Sequence, residues 1–150
     1  MSARLLDPQP GHVFEGRARQ LTLARALALS GGPFDAPVWP EKNLHTDLEA
    51  ANDAGLAEIV VSGTQWEGYL VGFLADLFGL DWFRHGELDI KIPRSVKIGE
   101  TLQPKARLDA RETQGDGAVR IGLGVWVENQ DGAQVLVGTA ACTVAPRGAP

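Results

Sequence analysis

The sequence predicts an α+β fold in which a curved antiparallel sheet wraps one long helix. Three observations carry this. Residues 63–78 hold bulky apolar side chains at Trp66, Tyr69, Leu70, Phe73, Leu74, Leu77 and Phe78, spaced i, i+3, i+4, i+7, i+8, i+11 and i+12. From Leu88 onward the pattern changes to alternation, the period of a strand. Asn129-Gln130-Asp131-Gly132 reads as a hairpin turn between two such runs. A helix followed by several strands is an α+β order.

Each element has its own signal. Residues 11–20 read as an extended entry strand. Thr22 suits the N-cap of a short helix over 23–29, closed by Ser30-Gly31-Gly32-Pro33. Pro33, Pro37 and Pro40 forbid regular helix over 31–44, leaving a loop. Thr46 or Asp47 caps a second short helix ending at Gly55. Residues 59–61 are briefly extended. The helix over 63–78 is bulky on one side and small on the other, at Gly68, Val71, Gly72 and Ala75, so burial on more than one side is expected. Leu88, Ile90 and Ile92 then alternate with acidic and basic residues. Residues 93–100 form a turn-rich connection, and strands follow over 101–112, 118–128 and 133–144. In the third of these four strands, Val119, Ile121, Leu123, Val125 and Val127 share one face.

Composition narrows the function. The chain has 150 residues, 44% of them hydrophobic and 22% charged, so one domain is expected, with its core over about 11–144 and flexible ends. A net charge of −5 argues against nucleic acid as a partner. No apolar run is long enough to span a membrane, and residues 1–8 lack the apolar segment of a signal peptide. The single cysteine, Cys142, excludes an internal disulfide and sits in an apolar strand as a core residue. A cytoplasmic location is the expectation. Charge is unevenly spread. Seven of the 14 basic residues lie between Arg84 and Arg111, which reads either as solvated strand faces or as a patch for a phosphorylated ligand such as a coenzyme A tail. His12 and His85 fall in presumed strand regions as ordinary residues.

The segment Asn43-Leu44-His45-Thr46-Asp47 is the strongest chemical signal. It places an acid/base side chain ahead of Ser62-Gly63-Thr64, the opening of the apolar helix. The positive end of that helix suits a polarised carbonyl. Asp47 fits a helix cap better than a base. Gly63 suits either close approach to a ligand or helix–sheet packing. Metal binding is not called for, because His45 and Asp47 do not make a ligand set.

In this order of parts, and in the His-x-Asp of His45 and Asp47, the chain resembles the MaoC-like dehydratase family, which has the hot-dog fold. The resemblance covers residues 11–144. It also includes the Pro93…Gly99-Glu100-Thr101-Leu102 connection. The family motif reads Asp-x-Asn-Pro-x-His-x-Asp. Counted without a gap, Pro40 and Lys42 take the places of its Asp and Asn. A loop shorter by the motif's proline instead aligns Glu41 with the Asp and Asn43 with the Asn. Ser62 stands where many members have His. The resemblance implies reversible hydration of a trans-2-enoyl thioester to an (R)-3-hydroxyacyl product, usually on coenzyme A. It implies His45 and Glu41 as the acid/base pair, Asn43 beside them, and Gly63 and Thr64 on the substrate side. It implies no cofactor, coenzyme A being part of the substrate, and a homodimer with the site near the interface. Two other readings fit: a hot-dog thioesterase using Glu67, and a non-catalytic acyl-thioester-binding or partner subunit. Trp39, Trp66, Tyr69, Trp82 and Phe83 either shape an acyl pocket or pack as core or interface.

Overall fold

The structure is a computed structural model and describes residues 8–145. Its elements run β1 (Val13–Glu15), β2 (Arg19–Gln20), α1 (Leu23–Ser30), α2 (Leu48–Asp53), α3 (Gly63–Phe78), α4 (Leu80–His85), β3 (Gly86–Lys91), β4 (Thr101–Thr113), β5 (Val119–Asn129) and β6 (Gln134–Val144). The strands form one antiparallel sheet in the order β1-β4-β5-β6-β3, with β2 also paired to β4. Register shifts at Leu108/Ala110 and Val127/Glu128 interrupt the long ladders. Such irregularities bend a strand, and here they curve the sheet around α3.

The core forms because two periods meet. Trp66, Leu70, Phe73, Leu74, Leu77 and Phe78 are buried on α3. They pack in one cluster with the alternate residues Ile121, Leu123, Val125 and Val127 of β5, and with Leu102, Leu108, Leu136 and Cys142 of its neighbours. Each large apolar side chain removed from water in this way contributes about 1.5–3 kcal/mol. Val119, the end of the predicted face, is only half-buried. Burial pushes the Cys142 thiol up to about 11. At Gly138 a side chain would run into the Asp89 carbonyl, so glycine there lets β6 and β3 lie together.

Several local expectations change. The entry strand is two short pieces, β1 and β2, separated at Gly16, whose N–H donates to the Pro104 carbonyl (2.8 Å). The brief extended piece over 59–61 reduces to a single bridge, Val60 to Lys97. Ile92 lies beyond the end of β3 and is 44% exposed. His85 belongs to α4, not to a strand. α4 is only six residues long, too short for helical periodicity to emerge. It buries Trp82, whose ring stacks on Phe78 with centroids 6.0 Å apart, and it leaves Leu80 and Phe83 exposed. Helix α3 spans the residues expected of it.

Candidate active site

The loop between α1 and α2 carries no regular structure, so its shape comes from polar side chains bonding to backbone. Asn43 is the centre of this network. Its Nδ2 donates to the Ser30 carbonyl at the end of α1 (2.8 Å), and its Oδ1 accepts from the His45 N–H (2.9 Å). The Thr46 hydroxyl donates to the Glu41 carbonyl (2.6 Å) and accepts from the Asn43 N–H (2.9 Å). The Glu41 N–H donates to the Gly31 carbonyl (2.8 Å). Short polar side chains bonding nearby backbone groups are the usual way such a loop is fixed. Asn43 therefore braces the loop and holds the backbone of His45.

Asp47 caps α2. Its Oδ1 accepts from the Ala50 N–H at 3.1 Å, and Lys42 lies 3.5 Å from its other oxygen. The Ala50 N–H, and then the Lys42 ammonium, hold this carboxyl below the usual carboxylate range. A carboxylate so engaged is a cap, as its position in the sequence indicated.

His45 is half-buried and anchored at one ring nitrogen. Its Nδ1 lies 2.8 Å from the Val60 carbonyl. A carbonyl can only accept, so Nδ1 carries a proton, and in the neutral ring Nε2 holds the lone pair. Among the described residues, Nε2 has no hydrogen-bond partner. The anchor itself is firm. Val60 bridges to Lys97, and the Val61 N–H donates to the Val96 carbonyl at 2.8 Å. Two residues after Val60 comes Ser62, the N-cap of α3. The histidine is thus tied to the bridged segment that leads directly into the central helix.

At the start of α3 the Ser62 side chain makes no capping bond, and its hydroxyl meets that of Thr64 at 2.9 Å. The first N–H groups of a helix have no intrahelical acceptor and carry the positive end of its dipole. Gly63 has a clear packing role as well. A Cβ there would lie 2.7 Å from Cδ1 of Ile92. Two buried polar atoms lie just beyond, Oε1 of Gln65 and Nε1 of Trp66, and neither has a hydrogen-bond partner among the described residues.

Glu41 is the sequence-predicted residue that the structure sets apart. It is exposed, its Oε2 lies against Gly32, and no hydrogen bond joins it to the His45 ring. Glu67 is half-buried one turn into α3. Thr64, Gln65, Gly68, Tyr69 and Gly72 line a groove of about 490 Å³ along the same helix, and Glu67 is not among its walls. One of these lining residues, Gln65, was not singled out in the sequence, whereas Gly68 and Gly72 belong to the small side of the helix read there. A helical spacing of i, i+4, i+8 over Thr64, Gly68 and Gly72 is the signal that could have found this face.

No family model matches the sequence, and no curated protein matches it. Solved structures do. The chain is similar to a MaoC-like dehydratase from Rhodospirillum rubrum, at a TM-score of 0.74 and 22% identity over 97% of this chain and 98% of the other. The chain has the hot-dog fold of the MaoC-like dehydratases. Further hot-dog structures extend the likeness. An (R)-hydratase from A. caviae involved in PHA biosynthesis superposes at a TM-score of 0.65 and 16% identity, covering 94% of this chain and 99% of that one. A chain of a (3R)-hydroxyacyl-ACP dehydratase complex from Mycobacterium tuberculosis does so at 0.62 and 17%, covering 93% and 99%. At these identities the likeness speaks for the hot-dog architecture, and the chemistry rests on the residues.

Proposed function

We propose that the protein hydrates and dehydrates an enoyl thioester, interconverting a trans-2-enoyl-CoA and an (R)-3-hydroxyacyl-CoA. The observation that carries this reading is the His45 ring, anchored through Nδ1 to Val60 two residues before the N-cap of α3, with Nε2 unbonded among the described residues. The solved hydratases and dehydratases of the same fold support it.

In the proposed reaction, Nε2 of His45 removes a proton from water as the water oxygen bonds to the β-carbon. The pair of electrons displaced from the double bond moves toward the thioester oxygen. Backbone N–H groups at Gly63 and Thr64 stabilise that charge through the helix dipole. The α-carbon then takes up a proton from the imidazolium of His45, since the Glu41 carboxylate is turned to Gly32. Asn43 acts as a positioning residue, because its amide is spent on Ser30 and on the His45 backbone. The hydration uses no cofactor.

A specific observation favours a second reading. The carboxylate of Glu41 lies against Gly32 and is not hydrogen-bonded to His45. A chain so arranged would serve as the acyl-thioester-binding partner of a second, catalytic chain. Either reading calls for an oligomer. β3 pairs with β6 on one side only, and α4 beside it exposes Leu80 and Phe83. An unpaired edge next to exposed apolar side chains is an assembly surface, and a homodimer is the proposed form.

The test is turnover of a short trans-2-enoyl-CoA by the purified chain, followed through loss of the conjugated thioester absorbance. His45→Ala is expected to lower the rate by about 10²–10⁴-fold while the circular dichroism spectrum stays unchanged. Near-normal hydration by His45→Ala would reject the assignment. No turnover by the wild-type chain alone, with activity on adding a second chain, would establish the partner reading. Release of free thiol would identify a thioesterase.

A further inference from the structure

The sequence places a basic run between Arg84 and Arg111, but the fold neutralises much of it. Lys97 pairs with Glu58 at 2.6 Å, Lys105 with Glu15 and Glu128 at 2.8 Å each, and Arg107 with Asp109 at 2.6 Å. A different cluster stays uncompensated. Arg17, Arg19 and Arg25 are exposed and line one contiguous surface, and none has a carboxylate partner among the described residues. On a chain of net charge −5 this is a local positive field against the overall sign.

Two of the three guanidiniums are held in place. Arg19 sits 5.2 Å over the Tyr69 ring, within cation–π range. Arg25 donates through Nη1 to the Gln20 carbonyl at 2.7 Å, which leaves most of its donors free. Held guanidiniums with free donors match phosphate oxygens, which they bind in pairs.

The same surface runs into the α3 groove. Arg17 and Arg19 line it together with Thr64, Gly68, Tyr69 and Gly72, and with Asp76, whose carboxylate makes no salt bridge to either arginine. At Gly68 and Gly72 a Cβ would meet nothing within 4 Å, so this face of α3 is uncovered. Gly16, next to Arg17, lies against Phe73, and Arg19 lies over Tyr69. From Gly63 to these positions is six to ten residues, roughly 9–15 Å of helix. The groove therefore connects a cationic patch to Thr64 in the first turn of α3, four residues beyond the Val60 carbonyl that anchors His45.

We propose that Arg17, Arg19 and Arg25 bind the phosphate end of a pantetheine thioester, whose arm lies along Gly68 and Gly72 with its acyl end toward Thr64 and His45. This rests on the enoyl-thioester reading for its substrate class. The phosphate belongs either to coenzyme A or to a 4′-phosphopantetheine on a carrier protein, and both present the same anion to these arginines.

Binding measured by calorimetry tests the site without turnover. The probes are free coenzyme A, pantetheine, and a carrier protein bearing 4′-phosphopantetheine. Arg17→Glu/Arg19→Glu is expected to weaken coenzyme A binding by about tenfold or more, and added salt should weaken it in the wild type. Pantetheine, lacking phosphate, should bind equally to both proteins. If only the carrier protein shows this arginine dependence, the phosphate site stands and the carrier is its source. Equal coenzyme A affinity for wild type and variant overturns the proposal, as does wild-type binding of pantetheine as tight as that of coenzyme A. Enoyl-pantetheine hydration separates the two claims. Hydration of this phosphate-free substrate by the wild type tests the chemistry apart from the phosphate site. Arginine-dependent coenzyme A binding without any hydration would reject the hydratase reading and leave the phosphate site intact.

Discussion

Helix α3 with its sheet and the loop over residues 31–47 are built on opposite principles. The first is held by apolar area. Trp66, Leu70, Leu74, Leu77 and Phe78 are each at most 2% exposed. The second has almost no apolar support. Phe34 and Val38 are 70% and 77% exposed, and the loop keeps its shape through Asn43, Thr46 and Asp47. Stability and positioning are thus assigned to different regions. Damage to one should leave the other's property largely intact.

The strongest way to break this division is in the core. Leu74→Ala removes a fully buried side chain from the centre of α3. It should cost about 2–5 kcal/mol in urea unfolding, while the hydration rate per folded molecule stays near wild type. A large loss of specific activity with normal stability would show that the core, not the loop, sets the site. Asn43→Ala makes the reciprocal test. It should cost about 1 kcal/mol or somewhat more, yet lower the hydration rate by about tenfold to a hundredfold by releasing the His45 backbone. The smaller change is expected in KM, since the amide is directed at the protein and not at the substrate.

The outer face of the sheet offers a finer test, because its ion pairs belong to neither region. Lys105 is 16% exposed at the side chain and joins Glu15 of β1 to Glu128 of β5. The Lys105 ammonium holds the Glu128 carboxyl below its ordinary 4.5, and Glu128, then Glu15, raise the Lys105 ammonium above 10.5. The stabilisation is therefore present above about pH 4.5, lost as pH falls through the lowered value of Glu128, and lost again as pH rises through that of Lys105. Lys105→Met should lower stability by about 1 kcal/mol at pH 7, and the gap to wild type should close toward pH 3. A gap that persists at pH 3 would show that the methylene stem, not the charge, does the stabilising.

The same contrast explains what could be read in advance. Helix α3 and the face of β5 follow from local periodicity, and the Asp47 cap follows from its place before α2. Those signals lie within a few residues of what they predict. The loop's interior does not follow, because Asn43 reaches Ser30 and His45 reaches Val60, 13 and 15 residues away. The basic run left two readings open for the same reason. Lys97 pairs with Glu58, and Lys105 with Glu15 and Glu128, partners that the fold alone brings near. Glu41 is the instructive case at the site. Spacing placed a carboxylate two residues before Asn43, but the N–H of Glu41 is fixed to Gly31 and its side chain is turned to Gly32.

The bond from His45 to Val60 has one more consequence. The anchoring nitrogen, Nδ1, carries its hydrogen whether the imidazole is neutral or charged. Only the opposite nitrogen changes state. The ring can therefore gain a proton and give it back without turning, and without breaking its one tether. In the proposed hydration, a base that needs no reorientation would serve both directions, as a freely reversible addition of water requires.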